Sequence, residues 1–529
     1  MKRLALAALC ACVLLSCSRP EPAAPQKTTL YRHLSGDPAT LDPVTSTEEQ
    51  GLQVVEMIFR PLVGIDSALR FVPGLAREWS VSADGLVYEF RLDPEARWED
   101  GSPVTSDDAA FTIERIRDPK VAAPTWRSGF DHLAAIETPD KLTVRYRFER
   151  PYAERLLAFT LPVVSRAAFS RAPGDVDRKP QGSGPYRLVS WEANQKIVLA
   201  RRTDSAGTKA HFDEMVFRVI PDRAVYFQAG VRGELDEFRV SRDQRPAAES
   251  SPDFNARNHL RKVPQPMVVL LVWNVRHPLL ADARARRALA LAWPRAETAK
   301  RLYPPEGATL ISGPYPPGVK ENAGDVPPLA HDVEESRRLL DAAGWKPGSD
   351  GIRRKGSRRA SVEVIYPPGA AVYTALIEIW TQAYRAIGVQ LVARPVDWAA
   401  YAERGSAGEF EAQFTGRTFI PPNFDPYPYY HSSQIPPNGQ NVGYYRNAEA
   451  DRVMEEAQRE LDAARRVELY RQVHRLLAQD PPADFLWGAD QYWGISKGLA
   501  GVEVSPLGLF HFLPGPLGWR PASSAAPSR

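Results

Sequence analysis

Apolar residues recur with two different periods along this chain. In LVYEFRL, Leu86, Tyr88, Phe90 and Leu92 share one face, and in LTVRYRF, Leu142, Val144, Tyr146 and Phe148 do the same. A period of two over such a stretch predicts half-buried strands. Between them, in TSDDAAFTIERI, the period lengthens. Ala109, Ile113 and Ile116 make one helical stripe, Thr105 or Ser106 stands at the cap, and Asp107 and Asp108 favour the positive end. Together these segments predict a small α+β lobe. Residues 31–43 predict a strand and turn, and residues 196–199 a strand after the turn-rich GSGPYRLVSW. Asp282 is placed to cap a helix whose Ala285, Ala288, Leu289 and Ala292 face inward. Residues 331–343 predict a helix, with Asp332 and Glu335 at capping-box spacing and Gly344 just past its end. Strand 361–366, helix 373–387 and strand 389–392 form a βαβ pattern, which calls for a parallel or mixed sheet. Two further helices, 448–461 and 463–479, turn Val453, Met454 and Ala457, then Tyr470, Val473 and Leu477, inward. No internal repeat interrupts the sequence.

The first residues bear on the compartment. Lys2 and Arg3 precede an apolar run, residues 4–15, that is shorter than the roughly 20 residues a membrane-spanning helix needs. That pattern reads as a signal peptide, residues 1–16. Leu14-Leu15-Ser16-Cys17 resembles the lipobox of bacterial lipoproteins, which implies cleavage before Cys17 and acylation of its thiol; the alternative is an ordinary secretory signal with Cys17 incidental. Cys10 and Cys12 fall within the signal, so the body has no disulfide and relies on apolar burial. With 529 residues, 43% of them hydrophobic, two or three lobes are expected. The net charge of +3 is spread over both signs, which gives no reason to expect a nucleic-acid partner. The chain has 48 prolines, which predicts many rigid connections. SRPEPAAPQK reads as part of a flexible tether, residues 17–30, and residues 514–529 as a disordered tail.

Catalytic patterns are missing. The histidines are dispersed, and there is no HExxH or GxxxxGK[ST]. Paired acids such as Asp107-Asp108, Glu334-Glu335 and Glu455-Glu456 sit in helices beside apolar stripes and read as caps and solvated faces. The expectation is a protein without enzymatic activity, metal or cofactor.

The most specific segment is GLAREWSVSADGLVYEFRLDPEARWEDGSPVTSDDAAFTIERIRD, from Gly74. Its Trp79, Asp84-Gly85, Trp98, Asp100-Gly101-x-Pro103 and Asp107-Asp108 resemble the signature of the family 5 extracellular solute-binding proteins, the oligopeptide, dipeptide and nickel binders of ABC importers. Matching blocks follow in order: Thr40-Leu41-Asp42-Pro43, Gly182-Ser183-Gly184-Pro185-Tyr186, WNVRHPLLADARARRALALA from Trp273, Asp425-Pro426, GQNVGYYRNAEADRVMEEA from Gly439 and ELDAARRVELYRQVHRLLAQDPP from Glu460. The resemblance implies a bilobal periplasmic-binding-protein-like (type II) α/β fold, with two hinged lobes and an additional inserted α+β lobe. The corresponding boundaries are 31–60, 182–272 and 491–513 for the first lobe, 61–181 for the insertion and 273–490 for the other, with hinge crossings near Trp273 and Trp487.

The resemblance also implies a ligand, most plainly a peptide, held in the interlobe cleft and delivered to ABC permease and ATPase subunits. The protein would be a monomer outside the cytoplasm, held to a bacterial membrane through Cys17. A nickel chelate, an oligosaccharide or an opine is the alternative cargo, and a sensor or adhesin on the same scaffold the alternative role. Where dipeptide binders place an ammonium-binding aspartate soon after Thr-Gly, this chain has Arg417. Arg417 therefore either faces the cleft to take an anionic group or bonds its own neighbours. Asp425 matches the family pattern and is either a ligand contact or structural. Trp398, Tyr401, Phe419, Phe424, Tyr427, Tyr429 and Tyr430 cluster nearby in sequence and either line the cleft or pack beneath the loop. Asn274 bonds ligand backbone or caps a turn, and the strand near Ser35 offers backbone contact in the manner of β-augmentation.

Overall fold

The computed structural model describes residues 28–522, apart from 47, 172–175, 208, 305–307, 369–370, 420–422 and 438. Cys17, the signal segment, most of the expected tether and the last seven residues of the expected tail, 523–529, lie outside the described residues.

Two long strands, Asn258–Trp273 and Ala483–Ser496, run antiparallel through the middle of a ten-stranded sheet. On one side of the pair lie Ala412–Thr418, Ser361–Tyr366 and Gln390–Pro395, in that order. On the other lie Glu237–Val240, Thr29–Leu34, Glu214–Val219, Lys196–Arg201 and Tyr186–Glu192. The central pairing runs from Asn258 opposite Ser496 to Pro264 opposite Asp490, breaks, and resumes with Val268 opposite Gly488. One strand gains residues over the other at this point, a bulge that bends and twists the ladder. Here the chain passes from one lobe to the other.

The crossing corrects the expected hinge. Trp487 does adjoin it, but Trp273 ends its strand well inside the second lobe, wholly buried in that lobe's core. Pro264 and Pro266 fall in the break, but the strand pattern resumes beyond them, so the sequence alone sets the boundary at the strand's end.

In the first lobe, Thr29–Leu34 is parallel to Glu214–Val219 and Glu237–Val240, so the tether reading ended too late at residue 30. Helix Glu49–Ile58 contributes Val54, Val55 and Ile58 to the core on one face. Helices Arg223–Val231, Arg245–Ser250 and Pro252–Arg257 cover the other. The residues from Pro514 also differ from expectation. Gly515–Gly518 forms a 3₁₀ turn, Trp519 is wholly buried, and Arg520–Pro521 pairs with Leu499–Ala500. Burial of Leu517 and Trp519 holds down a segment whose Pro and Gly content looks disordered in composition.

The insertion is a four-stranded antiparallel sheet, Ala76–Val81, Val87–Leu92, Thr143–Phe148 and Leu133–Asp140, packed with helix Ser106–Arg117. In the second lobe, Ser361–Tyr366 is parallel to Gln390–Pro395 and Ala412–Thr418, with helix Ala371–Ala386 as the crossover. Helices Ala448–Arg459 and Ala463–Gln479 bury Val453, Met454, Val473 and Leu477 in a core on the other side of that sheet.

Candidate functional site: a cleft at the lobe crossing

Strand direction locates the site. Val240 lies opposite Tyr492, close to the crossing, and its strand is parallel to the first one. The carboxyl ends of Thr29–Leu34, Glu214–Val219 and Glu237–Val240 therefore point toward the second lobe. Thr418 lies opposite Met267, beside the crossing, so the carboxyl ends of the three parallel strands of the second lobe point back. In open α/β sheets ligands bind at the carboxyl ends of strands. Here two sets of such ends meet.

Arg417 stands opposite Val268, at the start of the second lobe's half of the long strand. It is 8% exposed, and its guanidinium carbon lies 4.7 Å from the ring centre of Tyr429 and 4.8 Å from that of Tyr430. Its Nη1 is sealed from solvent without an acceptor, and among the described residues no carboxylate pairs with it. The undescribed neighbours, Ile420, Pro421 and Pro422, carry no acid. The tyrosines offset part of the desolvation of this guanidinium, and an anion would offset more.

Trp398 begins a helix just beyond strand Gln390–Pro395 and is 68% exposed, stacked on the buried Tyr401 at 5.6 Å. Tyr401 itself donates its hydroxyl to the Phe414 carbonyl and serves as the platform beneath. Ser35 follows the first strand, and its Oγ accepts from Gln50 Nε2 at 2.7 Å, at the start of helix Glu49–Ile58.

Three sequence candidates lie elsewhere. Asn274 is buried, with its amide nitrogen donating to the carbonyls of Gly408 and Phe410 and its oxygen accepting from Arg276. It sits at the far end of the long strand, away from the cleft. Phe424 is core, packed on Phe419. Asp425 is buried and accepts from the Tyr427 N–H at 2.9 Å and Gln458 Nε2 at 2.8 Å. Burial pushes its carboxyl up to about 6. Tyr152 of the insertion reaches this loop, its hydroxyl 3.4 Å from Asn423 Nδ2. Next to it the Ala153 N–H donates to the Gln458 carbonyl, and Glu154 pairs with Arg466 at 2.9 Å. Asp425 thus belongs to the contact between the insertion and the second lobe.

The sequence reading missed the first lobe's charged groups. Arg239 lies on strand Glu237–Val240 opposite Trp493, its guanidinium carbon 5.7 Å from that ring. It keeps accessible surface, yet surrounding protein desolvates it and lowers its pKa, against the favourable charge of Glu49. Alternation in Phe238-Arg239-Val240 marks Arg239 as outward, and the register sets it one residue before the end of the strand that points toward the second lobe. His511 approaches Glu56 and Glu49, and although burial opposes the imidazolium, these acids hold its pKa well above the ordinary value. Two open surface hollows lie away from all of this. One, of about 610 Å³, spans Tyr31, Val198 and Val216; the other, of about 380 Å³, lies between Arg452 and Arg465. Among the described residues no three His, Cys, Asp or Glu side chains are placed to hold a metal, and no helix is long and apolar enough to cross a membrane.

The model of the bacterial extracellular solute-binding proteins, family 5 (middle region) matches residues 70–439. The oligopeptide-binding protein AppA of Bacillus subtilis is 24% identical over 495 residues, covering 89% of this chain and 88% of its own. The structure of HbpA2 from Haemophilus parasuis is similar with a TM-score of 0.81 at 21% identity, covering 93% of this chain and all of that one. NikZ from Campylobacter jejuni, in complex with Ni(L-His), is similar with a TM-score of 0.78 at 21% identity, covering 93% and 99% of the two chains. The two hinged lobes are those of a type II periplasmic-binding-protein fold, and the chain belongs to the family 5 bacterial extracellular solute-binding proteins.

Proposed function

We propose that this protein captures a small solute, a peptide above all, between its lobes and delivers it to the permease and ATPase of an ABC importer. It works as a monomer held outside the cytoplasm by a lipidated Cys17. The observation that carries the reading is Arg417, buried on two tyrosines beside the crossing with no acid among the described residues paired to it. A guanidinium presents a planar fork that binds a carboxylate through two charge-assisted hydrogen bonds. Closure of the lobes would exclude water and strengthen those bonds. Trp398 and Tyr401 supply a stacked surface that tolerates varied side chains. AppA, an oligopeptide-binding protein, supports peptide cargo over most of both chains.

A second reading, a non-peptide anionic solute in the same cleft, is favoured by the same arginine, which stands where dipeptide binders keep an acid for the ligand's ammonium. Native mass spectrometry of the mature protein, purified without refolding, tests both. Co-purified short peptides that are lost from Arg417→Ala are the expected result. A single non-peptide anion would keep the cleft and replace the cargo. Ligand retained unchanged by Arg417→Ala would remove the residue from the site.

A further inference from the structure

The apolar cores divide the molecule into two bodies. One continuous core holds Leu30, Val54 and Ile58 of the first lobe together with Phe90, Tyr146 and Phe159 of the insertion. Arg115 of the insertion adds an ion pair to Asp42. The two cores of the second lobe contain no residue of either. The insertion therefore travels with the first lobe, and its tip, residues 151–154, meets the second lobe through polar groups.

That contact gathers acids. Glu154 of the tip pairs with Arg466 at 2.9 Å. On the side of the second lobe lie Asp425, bonded to Gln458 and the Tyr427 N–H, and Glu321. Glu321 is 4% exposed, and its Oε2 is sealed from solvent with no partner among the described residues. Tyr152, Tyr315 and Tyr470 are the neutral neighbours of Asp425. The cations are Arg466, the exposed Lys320 near Glu154 and Glu321, and Arg155, whose guanidinium turns to the carbonyls of Gly129 and Asp131. His474, further along helix Ala463–Gln479, is engaged by Ser312 Oγ at 3.1 Å and the Ala323 N–H at 3.0 Å. Positive and negative charges balance here, and what changes when the two bodies meet is the access of the acids to water.

We infer that closing the lobes takes up protons at this contact, so that mild acidity favours the closed form and neutral pH the open one. Burial raises the pKa of all three acids, and the charge of Glu154 raises Glu321 and Asp425 further. The pair with Arg466 favours ionised Glu154, but burial outweighs it. Parting the two bodies returns water to the acids and carries Glu154 away, which lets their protons go. An acid whose pKa is higher in the closed form stabilises that form at low pH, and the effect is lost as pH rises through the higher value. For Asp425 that value is about 6. Full return of Asp425 to its ordinary pKa sets a ceiling of about tenfold on its share of the change in closed-to-open ratio between pH 7.5 and 5. The effect depends on the lobes moving and not on what they carry.

Small-angle X-ray scattering of the mature protein, stripped of bound solute, tests this at pH 7.5 and pH 5. The wild type is expected to contract as pH falls, with a several-fold rise in the closed population. Asp425→Asn mimics the protonated acid, so it should be nearer the compact form at pH 7.5 and change less between the two values. Glu321→Gln should likewise lose part of the response, and it serves should the first variant lose its fold. A wild-type radius that stays constant, or grows as pH falls, would overturn the inference. So would a contraction that both variants retain in full, because the titrating groups would then lie elsewhere. Solute capture is read separately, by native mass spectrometry, and stands or falls on its own.

Discussion

Asp425 shows how one residue can match a family pattern and be engaged by its own neighbours. Its carboxylate accepts a backbone N–H and the Gln458 amide beneath the insertion, and burial raises its pKa to about 6. An acid whose folded pKa exceeds its unfolded one binds its proton more tightly when folded. Its contribution is most favourable below about pH 4 and is lost as pH rises through 6. Asp425→Asn should therefore flatten that part of the pH profile and raise stability at pH 7 by on the order of 2 kcal/mol. Thermal unfolding at pH 4.5 and 7, wild type against variant, reads the difference. Arg417 is the opposite case. Its significance rests on what surrounds it, and residue type alone left open whether a neighbouring acid neutralised it.

Helix Ser106–Arg117 illustrates what was legible at the scale of elements. Its start, stripe and flanking strands follow from the change of period between residues 86 and 148, and the observed bounds agree to within a residue or two. The signature residues prove to be scaffold. Asp108 accepts the Thr105 N–H at 2.9 Å, the Trp98 indole at 3.2 Å and the Arg166 N–H at 2.9 Å. One carboxylate joins the helix start to a family tryptophan and to the returning chain. Asp108→Ala would leave these donors buried without an acceptor and should cost about 3 kcal/mol, measurable by urea unfolding of the insertion. The βαβ unit was legible for the same reason, since helix Ala371–Ala386 lies between two strongly patterned strands. The crossing was not. Asn258–Trp273 is one strand through two lobes, and its only local mark, Pro264 and Pro266, does not tell a crossing from an interrupted strand. For that reason the sequence sets Asn274 beside the crossing, on ligand or in a turn, and the structure places it in a turn at the opposite end of the strand.

For the whole molecule, the insertion and the second lobe touch through Tyr152, Ala153 and Glu154 against Asn423, Gln458 and Arg466. These contacts join the insertion to the second lobe and would resist an opening that moves the two apart. Ligand affinity depends on how much of the protein is already in the competent form. Arg466→Ala leaves Glu154 without its partner and should populate the open form. The expected readouts are a larger radius of gyration by small-angle X-ray scattering without ligand and several-fold weaker binding. An unchanged radius would mean that the pair does not govern closure.

The account turns on a solute held between the lobes at Arg417. A crystal structure of the mature protein carrying the ligand with which it purifies tests this most directly. The prediction is density for a small anionic solute in the cleft, with an acidic group forked by the Arg417 guanidinium and the chain lying along Trp398. Ligand density elsewhere, or a ligand in the cleft that leaves Arg417 stacked on its tyrosines without contact, would contradict it.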